Sequence, residues 1–474
     1  MRPPIFITTL PLLLAGIALG QEPPSAPEYP KYQFLRHKED WSTFKAADFR
    51  ESDDITDQWK FIPLSNDGTT WLSVGGHFRA RLESLNNFNF GLRPPGVGQD
   101  EVFVLTRALV HGDLHIGERN RVFVEIKTAQ ATDRDLAPGV RRTIDVDSFD
   151  LQQGFWDHTV PLEGDADLTI RLGRQGLLFG RQRLVSPLPW GNTLRAWDGA
   201  STIFSSGSSV YTGFYTQFAP VDISDFNEPD VGNSFYGLYS THKWTDSLSG
   251  DIYGLVIDRD SRNFNGSVGA EERYTVGGRL NGNIASTELR YDVEGAYQFG
   301  RVGSSDVNAY MLAAELAYQP ADVTYSPRFR FGLDVASGDS RAGGNVGTFN
   351  QLFPLGHAYL GLIDIVGRQN VADFSTGVSI KPHPRVTGRL DFHHFQLMDN
   401  DDALYNPGGG VVVAGGTSDS TTVGSEIDLN VKYKISRHST TTVGYSHFFR
   451  SSVVEDGGGD RDVDFFYVSL KYMF

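Results

Sequence analysis

From Trp71 onward the chain alternates apolar and polar side chains, in stretches of strand length separated by Gly, Pro, Asn and Asp. Residues 71–83 set Leu72, Val74, Phe78, Ala80 and Leu82 on one face and Ser73, His77, Arg79, Arg81 and Glu83 on the other. Residues 102–116 repeat the arrangement, with Val102, Val104, Ala108, Val110, Leu114 and Ile116 opposite Arg107, His111, Asp113 and His115. In 121–128, Val122, Val124 and Ile126 oppose Arg121, Glu125 and Lys127. A charge at every second position is costly in a soluble core but natural where one face meets lipid and the other water. The last stretch, 462–474, puts Phe466, Val468, Leu470, Tyr472 and Phe474 on one face and Tyr467, Ser469, Lys471 and Met473 on the other. A terminal strand of this kind can close against the first and leave no open edge.

The same reading places further strands at 148–158, 167–175, 193–204, 210–218, 234–242, 251–258, 273–283, 285–298, 308–319, 328–335, 372–381, 385–395, 423–436 and 440–449. The predicted fold is all-β: a membrane-spanning antiparallel β-barrel with an even number of strands, about 18, both termini periplasmic and an aqueous lumen. Two long interruptions stand out. Residues 176–192 are rich in Gly and Pro and read as a turn or constriction loop, while 337–370, unusually apolar at 353–366, is expected to fold over or into the barrel.

The chain divides into three parts. Residues 1–20 carry Arg2 ahead of an apolar run at 5–19 and small Ala18 and Gly20 before Gln21, the pattern of a cleavable signal peptide. That run falls short of the roughly 20 residues a spanning helix needs. Residues 21–65 are expected to form a periplasmic leader or partial plug, Pro-rich at 21–30 and then charged, with Trp41, Phe44, Phe49 and Trp59 for packing. The barrel is assigned to 66–474.

Composition narrows the class. There are 52 Gly, 32 Phe and 19 Tyr among 474 residues and no Cys, so thiolate chemistry is excluded. The mean hydropathy of -0.29 excludes a bundle of spanning helices but suits strands that alternate. A net charge of -16 argues against a nucleic-acid partner and leaves the sign of a pore open. No cofactor, metal or catalytic set is expected. His393 and His394, like Ser446 and His447, are strand neighbours that point to opposite faces. The acidic runs 399–402 and 455–464 read as solvated loops without the ligand spacing of a tight calcium site.

The densest charge lies in 171–200, with Arg171, Arg174, Arg181, Arg183, Arg195 and Asp198. Guanidinium groups grip carboxylates in a two-bonded fork, so several of them along a lumen would favour an anionic solute, with an Asp keeping it from binding too tightly. The expected path is Arg79, Arg81, Arg107, Lys127, Arg171, Arg174, Arg183 and Arg195, with Asp198. Simple alternation turns Arg174 outward, and any of these cations could instead pair or snorkel at a rim.

This stretch resembles the signature region of the bacterial alginate-export outer-membrane family. The matching residues are Arg171, Gly173, Arg174 and Gln175 on a strand, then Gly180, Arg183, Trp190, Asn192, Arg195, Asp198 and Gly199. A second likeness lies in 338–370, at Gly338, Asp339, Thr348, Phe349, Phe353, Pro354, Gly356, His357, Gly361 and Asp364. The resemblance implies an eighteen-stranded export barrel whose basic constriction passes a linear uronate polymer; His357 and Asp364 could serve only the folding of their loop. The expected function is a passive outer-membrane channel for anionic solutes, with alginate or a related acidic polysaccharide first. An uptake porin for small carboxylates and a structural or adhesive barrel are the alternatives. Expected partners are acidic polysaccharide or small anions, outer-membrane lipid and lipopolysaccharide, the barrel assembly machinery and periplasmic export proteins.

Overall fold

The computed structural model describes residues 29–45, 54–92, 100–132, 134, 142–264, 266–341 and 343–474. The expected signal peptide and nearly all of the Pro-rich leader lie outside the described residues, as does Phe49. Eighteen strands form the wall: β1 Trp71–Asn86, β2 Glu101–Ile116, β3 Asn120–Ala131, β4 Asp147–Pro161, β5 Ala166–Gln175, β6 Ala196–Ser206, β7 Ser209–Ala219, β8 Asn233–Thr245 and β9 Leu248–Phe264 make the first half. The second half is β10 Ser267–Asn283, β11 Leu289–Val302, β12 Ser305–Tyr318, β13 Arg328–Ala336, β14 Val371–His383, β15 Val386–Gln396, β16 Thr422–Lys434, β17 Ser439–Arg450 and β18 Val463–Met473. Each strand pairs antiparallel with the next, and β1 closes on β18 from His77↔Met473 to Asn86↔Asp464. The barrel therefore has no free edge, as the terminal aromatic strand predicts.

Alternation becomes orientation. Leu238 and Ile252 are 70% and 60% exposed on the outer face, whereas Arg107 and Glu125 are 2% exposed inside. Two aromatic girdles bound the apolar band: Trp156, Tyr211, Trp244, Tyr318 and Tyr472 toward one end, and Tyr236, Tyr274, Phe299 and Tyr310 toward the other. The end at which β1 begins and β18 ends has the short turns, such as 207–208 and 246–247, and the far end carries the long loops, the pattern of a periplasmic and an outer rim.

Strand limits differ from expectation where polar residues obscured the period. β9 and β10 run on through Arg259↔Glu271 to Phe264↔Ser267, across the charged 259–262 that read as loop. β6 starts at Ala196 and not at 193, because the backbone N–H groups of Asn192 and Thr193 donate to Ile144 O and that of Arg195 to Pro187 O. Phe474, expected on the lipid face, lies beside outward-facing Tyr472, 6.1 Å between centroids, and also meets the exposed Trp59 at 5.8 Å.

The lumen is not the open aqueous tube that strand number alone predicts. Loop 176–195 and loop 337–370 enter it together, joined by a parallel bridge between Val185 and Phe353 and by bonds from Phe353 N to Leu184 O (2.9 Å) and Leu355 N to Gln182 O (3.0 Å). Leu177, Leu184, Phe349 and Phe353 form an apolar core with inward-facing Trp197, Phe214, Phe235 and Tyr239 of the wall. Phe353 touches Trp197, Phe218 and Phe235 with ring centroids 5.0 to 5.4 Å apart. Large aromatic areas leave water here, so the two loops are held as one packed unit. Asp402, expected in a solvated run, is buried; it accepts from Thr348 Oγ1 (2.6 Å), Tyr405 OH (2.7 Å) and Asp339 N (2.9 Å), tying loop 397–421 to loop 337–370.

One glycine of β5 is dictated by its neighbour. Gly173 has φ +130°, and a Cβ there would stand 2.2 Å from Gly154 O on β4. Replacing Gly173 by alanine is expected to destabilise the barrel by about 2–4 kcal/mol, from backbone strain plus overpacking. The urea midpoint of the micelle-bound protein, followed by heat-modifiable gel migration, measures it; an unchanged midpoint would show that β4 gives way freely.

Candidate functional site: a septum between two lumen cavities

β1 and β2 set Arg79 directly opposite Arg107, with Arg81 two positions along the same inner face. Like charges opposed across a ladder repel. What stabilises them is the backbone of loop 176–195. Arg79 donates to Pro189 O (3.1 Å), Trp190 O (3.0 Å), Gly191 O (2.8 Å) and Asn192 Oδ1 (3.1 Å). Arg107 donates to Gly191 O (2.8 Å), and Arg81 to Trp190 O (2.8 Å) while pairing with Glu83 at 2.5 Å. Asn192 fixes the loop from the other side, its Nδ2 donating to Asp145 O (2.7 Å), Gln130 O (3.0 Å) and Thr106 O (3.1 Å).

These bonds hold Trp190 upright in the lumen. The Arg81 guanidinium lies 3.7 Å from the centre of the indole, and the His357 imidazole of loop 337–370 stacks at 3.5 Å and 9°. His357 Nδ1 is in turn 3.1 Å from Asp364 Oδ2. The Arg81–Trp190–His357 stack forms a septum shared by two cavities.

The inner cavity, about 390 Å³, lies on the periplasmic side and reaches Phe34 of the N-terminal segment. Its wall presents six fixed cations, Arg79, Arg81, Arg107, Arg389, Lys432 and Lys471, against two carboxylates, Asp391 and Asp428. The outer cavity, about 490 Å³, is mixed: Arg81, Arg134, Arg142 and Arg195 face Glu83, Asp145 and Asp364, beside an apolar wall of Leu85, Phe103, Leu105, Ile144, Leu188 and Phe465. Low-dielectric walls around a cation excess concentrate field, and with it anions.

Of the predicted path, Arg79, Arg81 and Arg107 line the inner cavity and Arg195 the outer one. Arg195 also donates to Pro354 O (2.8 Å), and burial lowers its pKa to about 10. The other members line neither cavity. Lys127 is sealed against Asp147 (2.7 Å), Arg171 against Asp157 (2.8 Å), and Arg174 against Asp198 (2.7 Å) under Asn227 O. Arg174↔Asp198 is a register pair adjacent to the inward pair Gln175↔Trp197, so alternation sends it outward, and the tip of loop 220–232 covers it. Arg183 bridges Asp292 (2.8 Å) and Glu294 (2.9 Å); burial alone would lower its pKa, and these two carboxylates raise it. His393 and His394 part as their alternation requires, to Asp373 and to Ser425. Arg389, Lys432 and Lys471 line the inner cavity without belonging to the predicted path, although each alternates with a lipid-facing Leu390, Val431 or Leu470.

The family-signature residues thus hold the loops more than they face solute. Gly180 turns at φ +50° beside Tyr239 OH, Gln175 Oε1 accepts from Ser201 (2.8 Å), and Gly356 leaves room for Pro407. Pro354 supplies the carbonyl for Arg195, and Gly199 passes Tyr215 O where a Cβ would stand 2.2 Å away.

No curated relative matches the sequence significantly. Solved structures with the same fold include OpdO of Pseudomonas aeruginosa (TM-score 0.57, 11% identity, covering 85% of this chain and 97% of that one) and OpdQ of the same organism (0.55, 12%, 85% and 97%). The outer membrane protein OpdK of Pseudomonas aeruginosa is similar again (0.55, 8%, 85% and 98%). At such identities the likeness is one of fold, that of outer-membrane barrels. The family model for alginate export matches residues 70–467, from the start of the first strand into the last. The chain is an outer-membrane β-barrel and belongs to the alginate export family.

Proposed function

We propose that the protein is a passive channel for anionic solutes, and that alginate or a related acidic polysaccharide is its first substrate. The observation that carries this reading is the excess of six fixed cations over two carboxylates in the inner cavity. Carboxylates spaced along a uronate chain would exchange along one continuous arc of wall, from Arg389 on β15 and Lys432 on β16 to Lys471 on β18, the register partner of Arg79, and on to the septum arginines, with Asp391 and Asp428 limiting how long each is held. Family membership supports the polymer. Uptake of small carboxylates is the second reading, favoured by the division of the lumen into two cavities of small-molecule size.

Planar-bilayer reversal potentials under a KCl gradient test the charge assignment. The wild type is expected to select for chloride, and Lys432→Gln with Lys471→Gln to lower the anion-to-cation permeability ratio by about twofold or more. An unchanged ratio in the double variant would remove those residues from the path. Block of the current by added oligouronate supports the polymer; anion selectivity without block supports small acids.

A further inference from the structure

Two arginines of the inner cavity direct their hydrogen bonds to neutral acceptors. Arg79 and Arg107 are more than nine-tenths buried, and the acceptors they meet are not carboxylates but the carbonyls of Pro189, Trp190 and Gly191, 2.8 to 3.4 Å away. The Nε–H of each lacks a hydrogen-bond partner among the described residues. A carboxylate binds guanidinium through both oxygens and carries full charge, so it outcompetes a peptide carbonyl at the same site. The loop backbone therefore occupies the positions that an incoming anion would take.

The loop is anchored on both sides of its tip, on the far side by the three bonds of Asn192 Nδ2. Its body is fixed by Arg183 on Asp292 and Glu294 and by the Val185↔Phe353 bridge. Its tip carries Leu188 at φ +62°, a left-handed conformation that a leucine resists, between Pro187 and Pro189. We propose that Pro189–Gly191 is an anion-released gate. A carboxylate entering the inner cavity takes Arg79 and Arg107 from the loop carbonyls, the tip relaxes, and Trp190 leaves His357, which joins the two cavities. The gate rests on the reading of this lumen as an anion path, and it adds that the solute itself opens the path.

Single-channel recording in KCl at neutral pH, with sodium D-galacturonate added on the periplasmic side, tests it. In the wild type, galacturonate is expected to raise open probability by about tenfold. Trp190→Ala is expected to stand open in KCl alone and to respond no further. His357→Ala removes only the ring facing Trp190 and leaves the arginine contacts, so it is expected to open at lower galacturonate. Heat-modifiable migration shows that each variant has folded, and His357→Ala serves where Trp190→Ala does not. Anion-selective current with no galacturonate-dependent opening, or a fall in current of the same size in wild type and both variants, overturns the gate and leaves the channel reading standing. A reversal potential that shows no anion preference overturns the channel reading itself.

Discussion

Replacing Arg183 by alanine is expected to destabilise the barrel by about 3–5 kcal/mol, because it strands one buried carboxylate, that of Glu294, without a cation. Arg183 Nη1 serves Asp292 and Glu294 together, from a side chain that is 3% exposed. Asp292 would keep Arg279 at 2.6 Å, but Glu294 would be left with Tyr253 OH at 3.1 Å. The effect travels further through the backbone: Arg183 O accepts from Arg368 Nη1 (3.0 Å), and Arg368 is the buried partner of Asp334 (2.6 Å). Arg183→Lys keeps the charge but not the fork, and is expected to recover only part of the loss. The control is Arg301→Ala: its pair with Asp306 is exposed on both sides and should contribute nothing measurable. Urea midpoints at constant slope rank the three. Equal midpoints for Arg183→Ala and wild type would mean that the inserted loops do not contribute to wall stability.

The wall was legible in the sequence because lipid on one side and a polar interior on the other impose a strict period of two. Leu470 and Lys471, or Phe78 and Arg79, declare their faces without help from any distant residue. The interior was legible only by half. Alternation tells which face a cation shares, not which acid it will meet: Lys127 finds Asp147 across a connection, and Arg171 finds Asp157 one strand back. Those partners turn predicted pore cations into struts. The Trp190–His357 contact joins loops more than 160 positions apart in the chain, and neither residue carries a local signal for the other. The apolar stretch 353–366 did carry one, since a greasy segment between barrel strands has nowhere to go but inward.

Arg36→Ala is expected to release the N-terminal segment from the periplasmic mouth and to raise conductance several-fold. Arg36 sits at the seam, donating to Gly76 O (2.6 Å) on β1 and to Phe474 O (2.8 Å) beyond β18, with Glu39 as its buried ion-pair partner (2.6 Å). Next to it His37 packs against the neighbouring strands β3 to β5, 3.0 Å from Arg171 Nη1 and edge-on to Phe123 and Phe155. Phe34 lines the inner cavity, so the segment lies at the mouth of the path. Removing Arg36 leaves Glu39 buried with, among the described residues, Trp41 Nε1 and Gln33 N as its donors, a loss of about 3–5 kcal/mol. That exceeds what a surface segment of this length can spare. Proteolysis of the folded barrel should then cleave the segment while the wall stays intact. The same seat responds to pH. Lys60 donates to Val74 O among the rings of Tyr32, Trp41 and Phe474, where burial and then the Arg36 charge lower its pKa to about 7. The released segment holds the Lys60 proton up to about pH 10, so between 7 and that value release takes up a proton and raising the pH favours the seated form. His37, lowered by burial and then by the Arg171 charge, adds release on acidification below its ordinary range. Conductance should therefore fall from pH 7 to pH 9.5 in the wild type, and Lys60→Met should flatten that slope. A flat wild-type profile, with Arg36→Ala no more conductive than its parent, would mean that the segment braces the seam without closing the mouth.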